Sequence, residues 1–159
     1  MALMLASFKA AIGHPILPGL AAIGKFDGKH PALACGTNGN RVFVYSPHNR
    51  AEDAKVEVRF LNINRELRTL TAGRLDPAKD TDILLVGSTT NILAYDVEEN
   101  KDVYFQEIPD GVSSVAVGQV EGTTSALCMV GGNCSIQGFD HEVKSPALSV
   151  IVIIRSSPN

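Results

Sequence analysis

One pattern occurs three times along the chain and restricts its fold more than any other feature. In each copy an apolar run ends at a glycine, an acidic turn follows, a second apolar run ends at another glycine, and a third run closes with an aromatic residue. Corresponding residues of successive copies lie 44 to 50 residues apart. A repeat of this length predicts a β-propeller in which each copy forms one blade. The first glycines are Gly24, Gly73 and Gly118, and the closing aromatic residues are Tyr45, Tyr95 and Phe139.

The segments between the copies supply further strands. Residues Val56–Leu61 alternate between apolar and polar side chains, and Val103–Ile108 are rich in aromatic and β-branched residues. No segment has an apolar stripe of helical period over three turns, so we expect little helix. We therefore predict an all-β fold, a partial β-propeller of about three blades with roughly four antiparallel strands each. The alternative is a β-sandwich whose glycines coincide by chance.

The repeat makes two predictions about local structure. If the copies are blades, Tyr45, Tyr95 and Phe139 occupy equivalent positions, because each closes the third strand of its repeat. The glycines are expected to serve tight hairpin turns, where a positive φ penalises any residue with a Cβ. Asn38-Gly39 is the clearest of these predicted turns.

Composition limits the compartment and the partners. Of 159 residues, 45% are hydrophobic and 19% charged, which excludes a disordered chain, and a net charge of −3 argues against nucleic acid as a partner. Cys35, Cys128 and Cys134 lie in apolar runs and are interpreted as small core residues in a reducing compartment. The N-terminus lacks the basic region of a signal peptide. The apolar run 147–154 is far shorter than the roughly 20 residues that span a bilayer, so no membrane insertion is expected.

A phosphate-binding loop is suggested by the spacing of Gly19, Gly24 and Lys25. The pattern fails at Phe26, which stands where a Ser or Thr hydroxyl must bind magnesium. The same segment recurs in each copy of the repeat as the end of an apolar run. We therefore interpret it as a strand.

The acidic turns that begin at Asp27, Asp76 and Glu121 resemble calcium loops but offer too few oxygen ligands, and Asp76, Asp80 and Asp82 are the least poor candidates. The four histidines have neither the spacing of a helical zinc site nor a cysteine pair nearby. No Gly-x-Ser-x-Gly nucleophile motif occurs. We assign no catalytic, cofactor-binding or metal-binding residue and expect no enzyme activity. The histidines are His14, His30, His48 and His141.

Five stretches resemble, in this order, the Bardet-Biedl syndrome protein 2 family of BBSome subunits. The last two are the longest and the most specific. The resemblance covers roughly residues 7 to 142, the beginning of a much longer protein. The stretches are Gly24–Pro31, Val42–His48, Leu61–Asn64, Leu84–Val97 and Gly131–Glu142.

This resemblance implies an N-terminal propeller that acts as a non-catalytic scaffold in the BBSome, a coat that carries membrane proteins into and out of cilia under an Arf-like GTPase. It implies other BBSome subunits as partners, no cofactor, and a place in the cytoplasm, the cilium, the ciliary basal body and, peripherally, the ciliary membrane. It also implies a role in cilium assembly. The alternative is a generic propeller with a metal-binding or enzymatic site, which requires at least three of the acidic and histidine side chains named above to converge.

The sequence departs from the family after Glu142, as a splice variant, a retained intron or a truncated gene model would. We therefore divide the chain into a propeller fragment, residues 1–142, and a divergent hydrophobic tail, residues 143–159. Three repeats cannot close a ring, so we expect an apolar face of the last blade to be exposed and the isolated chain to associate. The tail run Val150–Ile154 could pair with an open strand edge, either of this chain or of another molecule.

Overall fold

The described part of the chain folds into three antiparallel sheets that follow one another along the sequence. The computed structural model describes residues 9, 11–49 and 58–141. Within each sheet the strands are neighbours in chain order, as in a propeller blade. Blade 1 contains β1 (Ile16–Gly24), β2 (Ala32–Thr37), β3 (Arg41–Tyr45) and β4 (Arg59–Asn64); blade 2 contains β5 (Thr69–Gly73), β6 (Ile83–Gly87), β7 (Asn91–Asp96) and β8 (Lys101–Glu107); blade 3 contains β9 (Ser114–Gly118), β10 (Leu127–Gly131) and β11 (Ile136–Phe139).

This architecture confirms the all-β, partial propeller prediction. The two strands predicted between the copies are present as β4 and β8, although β4 runs on to Asn64 and the predicted residues Val56 and Glu57 lie outside the described part of the chain. The predicted tail, residues 143–159, also lies outside it. Among the described residues the helical structure consists of one 3-10 turn, Pro47–Asn49.

The three blades share one register, as the repeat predicted. In blade 1 the closing aromatic Tyr45 lies opposite the second residue of β2. Tyr95 and Phe139 lie opposite the second residues of β6 and β10 in the same way. The prediction that these three aromatic residues are equivalent is therefore confirmed.

Among the described residues, the hydrophobic core lies between blades and has two parts. We call the face of a blade that carries the first glycine of its repeat the front face, and the opposite face the rear face. Core 1 joins the front face of blade 1 to the rear face of blade 2, and core 2 joins the front face of blade 2 to the rear face of blade 3. Core 1 includes Leu20, Ala22, Phe26, Ala34, Val42 and Val44 with Leu70, Leu84, Val86, Leu93 and Tyr95; core 2 includes Leu75, Ile83, Leu85, Ile92 and Ala94 with Val115, Cys128, Val130 and Phe139.

The first glycines of blades 1 and 2 serve this packing rather than a turn, so our explanation of them from turn geometry was wrong. Neither Gly24 nor Gly73 has a positive φ. A Cβ on Gly24 would lie 2.9 Å from Ala72 Cβ, and a Cβ on Gly73 would lie 2.7 Å from Val117 Cβ. No real Cβ tolerates such distances, so glycine is required because the inner strands of neighbouring blades approach closely.

The turn between β2 and β3 is also built differently from the prediction. The residue with a positive φ is Asn40, at 55°, and not Gly39. The Asn40 N–H donates to the Thr37 carbonyl across 3.1 Å, which closes the turn. Asparagine adopts this left-handed conformation more readily than most residues with a Cβ, so the hairpin needs no glycine at that position.

Candidate functional site

The acidic turn at Asp27 uses its carboxylate to hold its own backbone. One oxygen accepts hydrogen bonds from the N–H groups of Lys29 (2.8 Å) and His30 (2.7 Å), and the other lies 2.9 Å from Nδ1 of His30. These bonds, mainly those from the backbone, hold the pKa of Asp27 far below its usual range. The ring of His48 lies against that of His30, with centroids 4.7 Å apart. Both carboxylate oxygens are therefore committed to the turn.

The turn at Asp76 lies at the boundary between blades 2 and 3. Oδ1 of Asp76 accepts a hydrogen bond from the Ala78 N–H (2.9 Å) and lies 3.9 Å from Nε2 of His141, at the end of blade 3. His141 is also paired with its neighbour Asp140 through Nδ1. This carboxylate thus links the two blades.

The other two candidate carboxylates of this turn face different partners. Asp80 forms an exposed ion pair with Arg74, with 3.2 Å between Oδ1 and Nη1. Asp82 lies at the boundary between blades 1 and 2, where its Oδ2 accepts a hydrogen bond from the Lys25 N–H (2.6 Å) and its own N–H donates to the Lys25 carbonyl (3.0 Å). The three aspartates predicted as the least poor calcium ligands therefore do not form one site.

The remaining candidates are also dispersed. Glu121 is exposed in the turn after β9. His14 packs on the rear face of blade 1, with its ring centroid 6.1 Å from that of Phe43 and 5.1 Å from that of Phe60. Across residues 9, 11–49 and 58–141, the structure brings together no group of three or more His, Cys, Asp or Glu side chains that could hold a metal ion.

The segment with phosphate-loop spacing is strand β1, as interpreted from the sequence. Gly19 has a φ of 77° beside an irregularity in the pairing of β1 with β2, and Gly24 ends the strand against blade 2. Phe26 is buried in core 1. These residues form part of the blade rather than an open loop around an anion.

The cysteines divide into two kinds. Cys35 and Cys128 are buried free thiols, and burial raises the pKa of both, that of Cys128 to about 12. Such thiols stay protonated and unreactive at neutral pH. Cys134 is exposed in the turn between β10 and β11, so the interpretation of this residue as a core residue was wrong. Its apolar neighbours in sequence end at Gly131, before the turn begins.

Sequence reasoning missed two acidic residues that hold the turn between the second and third strands of their blades. Asp110, ahead of β9, accepts hydrogen bonds through Oδ2 from the Ser135 hydroxyl (2.7 Å), the Ser135 N–H (2.9 Å) and the Cys134 N–H (3.0 Å). Glu66, ahead of β5, accepts one from the Thr89 hydroxyl (2.8 Å). Hydrogen bonds, mainly from these hydroxyl groups, lower the pKa of both carboxyls.

One apolar position is exposed on the front face of blade 3. Phe26, Leu75 and Val120 occupy the same position, two residues after the first glycine of each repeat, and are 4%, 2% and 44% exposed. The first two are covered by the following blade. Among the described residues, Val120 therefore lacks the cover that the following blade gives to its equivalents.

A further property concerns membranes. Within the described residues, the structure contains no helix with the length and hydropathy that a transmembrane span requires.

Known proteins provide an independent comparison. Residues 22–118 match the family profile described as "Ciliary BBSome complex subunit 2, N-terminal". The chain is 42% identical over 145 residues to BBSome complex member BBS2 of Danio rerio, with 85% of this chain and 20% of the relative covered. It is 39% identical over 150 residues to BBSome complex member BBS2 of Homo sapiens, with 88% and 21% covered. The chain therefore spans about a fifth of the length of these curated relatives.

Proposed function

The chain belongs to the family of ciliary BBSome complex subunit 2, and from this membership we propose that it is a non-catalytic scaffold made of the opening blades of such a subunit. Its work is to present blade faces, edges and turns to other proteins. It has no catalytic residue, cofactor or metal, and it binds neither nucleic acid nor the interior of a membrane.

The main support for the proposal is the set of strands that the family match includes. The match begins within β1 and ends at Gly118, the last residue of β9. It therefore spans the whole of blade 2, which contributes to both cores. This supports a function that depends on the packed blades, because the residues that build both cores fall largely within the matched range.

The proposal extends to place and partners. We propose that the chain acts with other BBSome subunits in ciliary membrane-protein trafficking and cilium assembly. It then resides in the cytoplasm, the cilium and the ciliary basal body, and at the ciliary membrane as a peripheral component. The dispersed acidic and histidine side chains support a binding role over a metal-dependent one, since the described residues pair them with backbone and neighbouring side chains.

Recovery of partners from ciliated cells tests the proposal. A tagged version that continues these blades into the remainder of a relative should recover other BBSome subunits and localise to cilia. A Leu75→Asp variant, which places a carboxylate in core 2, should lose both properties. Val103→Asp, which changes an exposed side chain of β8, should lose neither and serves as the matched control. Failure of the unsubstituted protein to recover any BBSome subunit would contradict the proposal.

A further inference from the structure

The dipeptide Asn38-Gly39 lies at the tip of the hairpin between β2 and β3, and both of its residues are exposed. No other Asn-Gly pair occurs in the sequence. The hydrogen bond from the Asn40 N–H to the Thr37 carbonyl closes the turn without using either residue of the pair. Within the described part of the chain, neither the Asn38 side chain nor the Gly39 N–H makes a hydrogen bond.

These two free groups are the reactants of a known rearrangement of asparagine. The main-chain nitrogen of the following residue attacks Cγ of the asparagine, a new N–C bond closes a succinimide ring, and the bond from Cγ to Nδ2 breaks. Ammonia leaves and takes up the proton of the attacking nitrogen. Water then opens the ring at either carbonyl. The product is aspartate, or isoaspartate in which the main chain continues through the side-chain carbonyl, and no oxidation or reduction takes place.

The surroundings of Gly39 leave this attack unhindered. A Cβ at this position would meet one atom within 4 Å among the described residues, Thr37 Oγ1 at 3.9 Å. Glycine also adopts a wider range of φ and ψ than any other residue, so its nitrogen can turn toward Cγ of Asn38. The geometry therefore supplies both an accessible electrophile and an accessible nucleophile.

Other asparagines in hairpin turns have their reacting groups held. In the turn between β7 and β8, Oδ1 of Asn100 accepts a hydrogen bond from the Tyr95 hydroxyl (3.0 Å). In the turn between β10 and β11, Nδ2 of Asn133 donates to the Asp110 carbonyl (2.8 Å). The N–H of the next residue, Cys134, donates to Oδ2 of Asp110 (3.0 Å). Neither asparagine is followed by glycine.

We propose that Asn38-Gly39 is a site of spontaneous deamidation, with water as the co-reactant, and that the isoaspartate product loosens blade 1. Isoaspartate lengthens the main chain of the turn by one carbon, so the hydrogen bond that closes the turn is lost. The hairpin supplies Ala34 and Val42 to core 1. Molecules that carry isoaspartate therefore have a less stable contact between blades 1 and 2. The reaction also adds one negative charge to a chain whose net charge is −3.

Peptide mapping by mass spectrometry tests the reaction. The full 159-residue chain is incubated folded at mildly alkaline pH, which favours loss of the proton from the attacking nitrogen, and is sampled over time. The peptide that contains Asn38 should gain the mass difference between an oxygen and an NH group, and isoaspartyl methyltransferase should label it. Peptides that contain Asn100 and Asn133 should stay unchanged over the same period.

Gly39→Ala is the matched control. Its added methyl group makes an ordinary contact at a residue without a positive φ, so the variant should fold, and the side chain should slow deamidation at Asn38 several-fold. Equal rates in the original chain and in Gly39→Ala would overturn the proposal. So would an Asn38 that deamidates in urea but not in the folded chain.

Thermal unfolding tests the consequence for blade 1. The incubated original chain should melt at a lower temperature than the fresh chain, whereas incubated Gly39→Ala should melt like fresh Gly39→Ala. Fresh Asn38→Asp carries the added charge with a normal main chain and should melt close to the fresh original. A melting temperature that does not fall as isoaspartate accumulates would contradict the proposed effect on blade 1.

Discussion

Blades 2 and 3 have the same strand order and register, yet their front faces have different surroundings. In blade 2, Gly73 lies against Val117, and Leu75 is 2% exposed in core 2. In blade 3, Gly118 faces open space among the described residues, and Val120 is 44% exposed. The role of a repeat position is therefore set by the neighbouring blade as well as by its own sheet.

This difference explains why glycine recurs where no turn requires it. A blade with a following neighbour needs a surface without a Cβ at the point of closest approach, and the next blade supplies the apolar side chain that fills it. The same glycine without a neighbour is structurally neutral. Substitutions at equivalent positions of blades 2 and 3 should therefore have very different effects.

The largest expected difference is between Leu75→Ala and Val120→Ala. Removing a fully buried leucine side chain leaves a cavity in core 2, which should lower the free energy of unfolding by about 2 to 5 kcal/mol. Val120 is nearly half exposed, so its substitution should change that free energy by no more than about 0.5 kcal/mol. Urea unfolding followed by circular dichroism measures both. Equal losses would mean that blade 3 also has a covered front face in solution.

The next difference is between Gly73→Val and Gly118→Val. At Gly73 the added side chain would collide with Val117, and such overpacking should cost about 1 to 3 kcal/mol of unfolding free energy. At Gly118 the same side chain enters open space and should leave stability within about 0.5 kcal/mol of the original. The urea titrations should use dilute protein, so that loss of self-association is not read as loss of stability. A strongly destabilising Gly118→Val would contradict the comparison.

The sequence reveals those features of the fold that repeat. Tyr45, Tyr95 and Phe139 could be placed in one register because each lies 21 or 22 residues after the first glycine of its copy. The packing role of the glycines could not be predicted from the sequence, because it depends on atoms of another blade. Gly24 meets Ala72, which is 48 residues away in sequence.

The geometry of the candidate site could not be predicted either, because it also depends on residues that are distant in sequence. The acidic turns were located correctly, but whether Asp76, Asp80 and Asp82 converge depends on which way each faces at a blade boundary. Asp110 was missed because its side-chain partners are 24 and 25 residues distant in sequence, so no local motif marks the contact. Exposure of Cys134 likewise depends on where β10 ends.

A smaller effect on stability distinguishes the contact between blades 1 and 2 from the contact between blades 2 and 3. Asp82 exchanges two hydrogen bonds with the Lys25 backbone between blades 1 and 2, whereas Ala126 occupies the equivalent position in blade 3. Asp82→Ala should therefore lower the free energy of unfolding by about 1 kcal/mol, and Asp82→Asn, which keeps an acceptor, by less. The control is Asp80→Ala, which removes only an exposed ion pair and should cost about 0.5 kcal/mol or less. Equal effects of Asp82→Ala and Asp80→Ala in urea titrations would show that the Lys25 bonds contribute nothing.

The smallest effect concerns the turn of blade 3 and its dependence on pH. The Ser135 hydroxyl and the backbone N–H groups of Cys134 and Ser135 hold the pKa of Asp110 below its ordinary value of 3.8. A carboxyl whose pKa is lower in the folded state stabilises the fold above the unfolded pKa and loses that contribution as the pH falls through the folded pKa. Other carboxylates of the chain, such as Asp27, follow the same rule, so only the difference between the original chain and Asp110→Asn isolates this group.

The melting temperature of Asp110→Asn should be lower than that of the original chain near neutral pH, and the difference in melting temperature should narrow as the pH falls below about 4. Glu121→Gln, which removes a carboxylate in an exposed turn of the same blade, is the control for net charge. A gap that stays constant from neutral to acidic pH would show that the Asp110 carboxylate does not hold this turn through its charge.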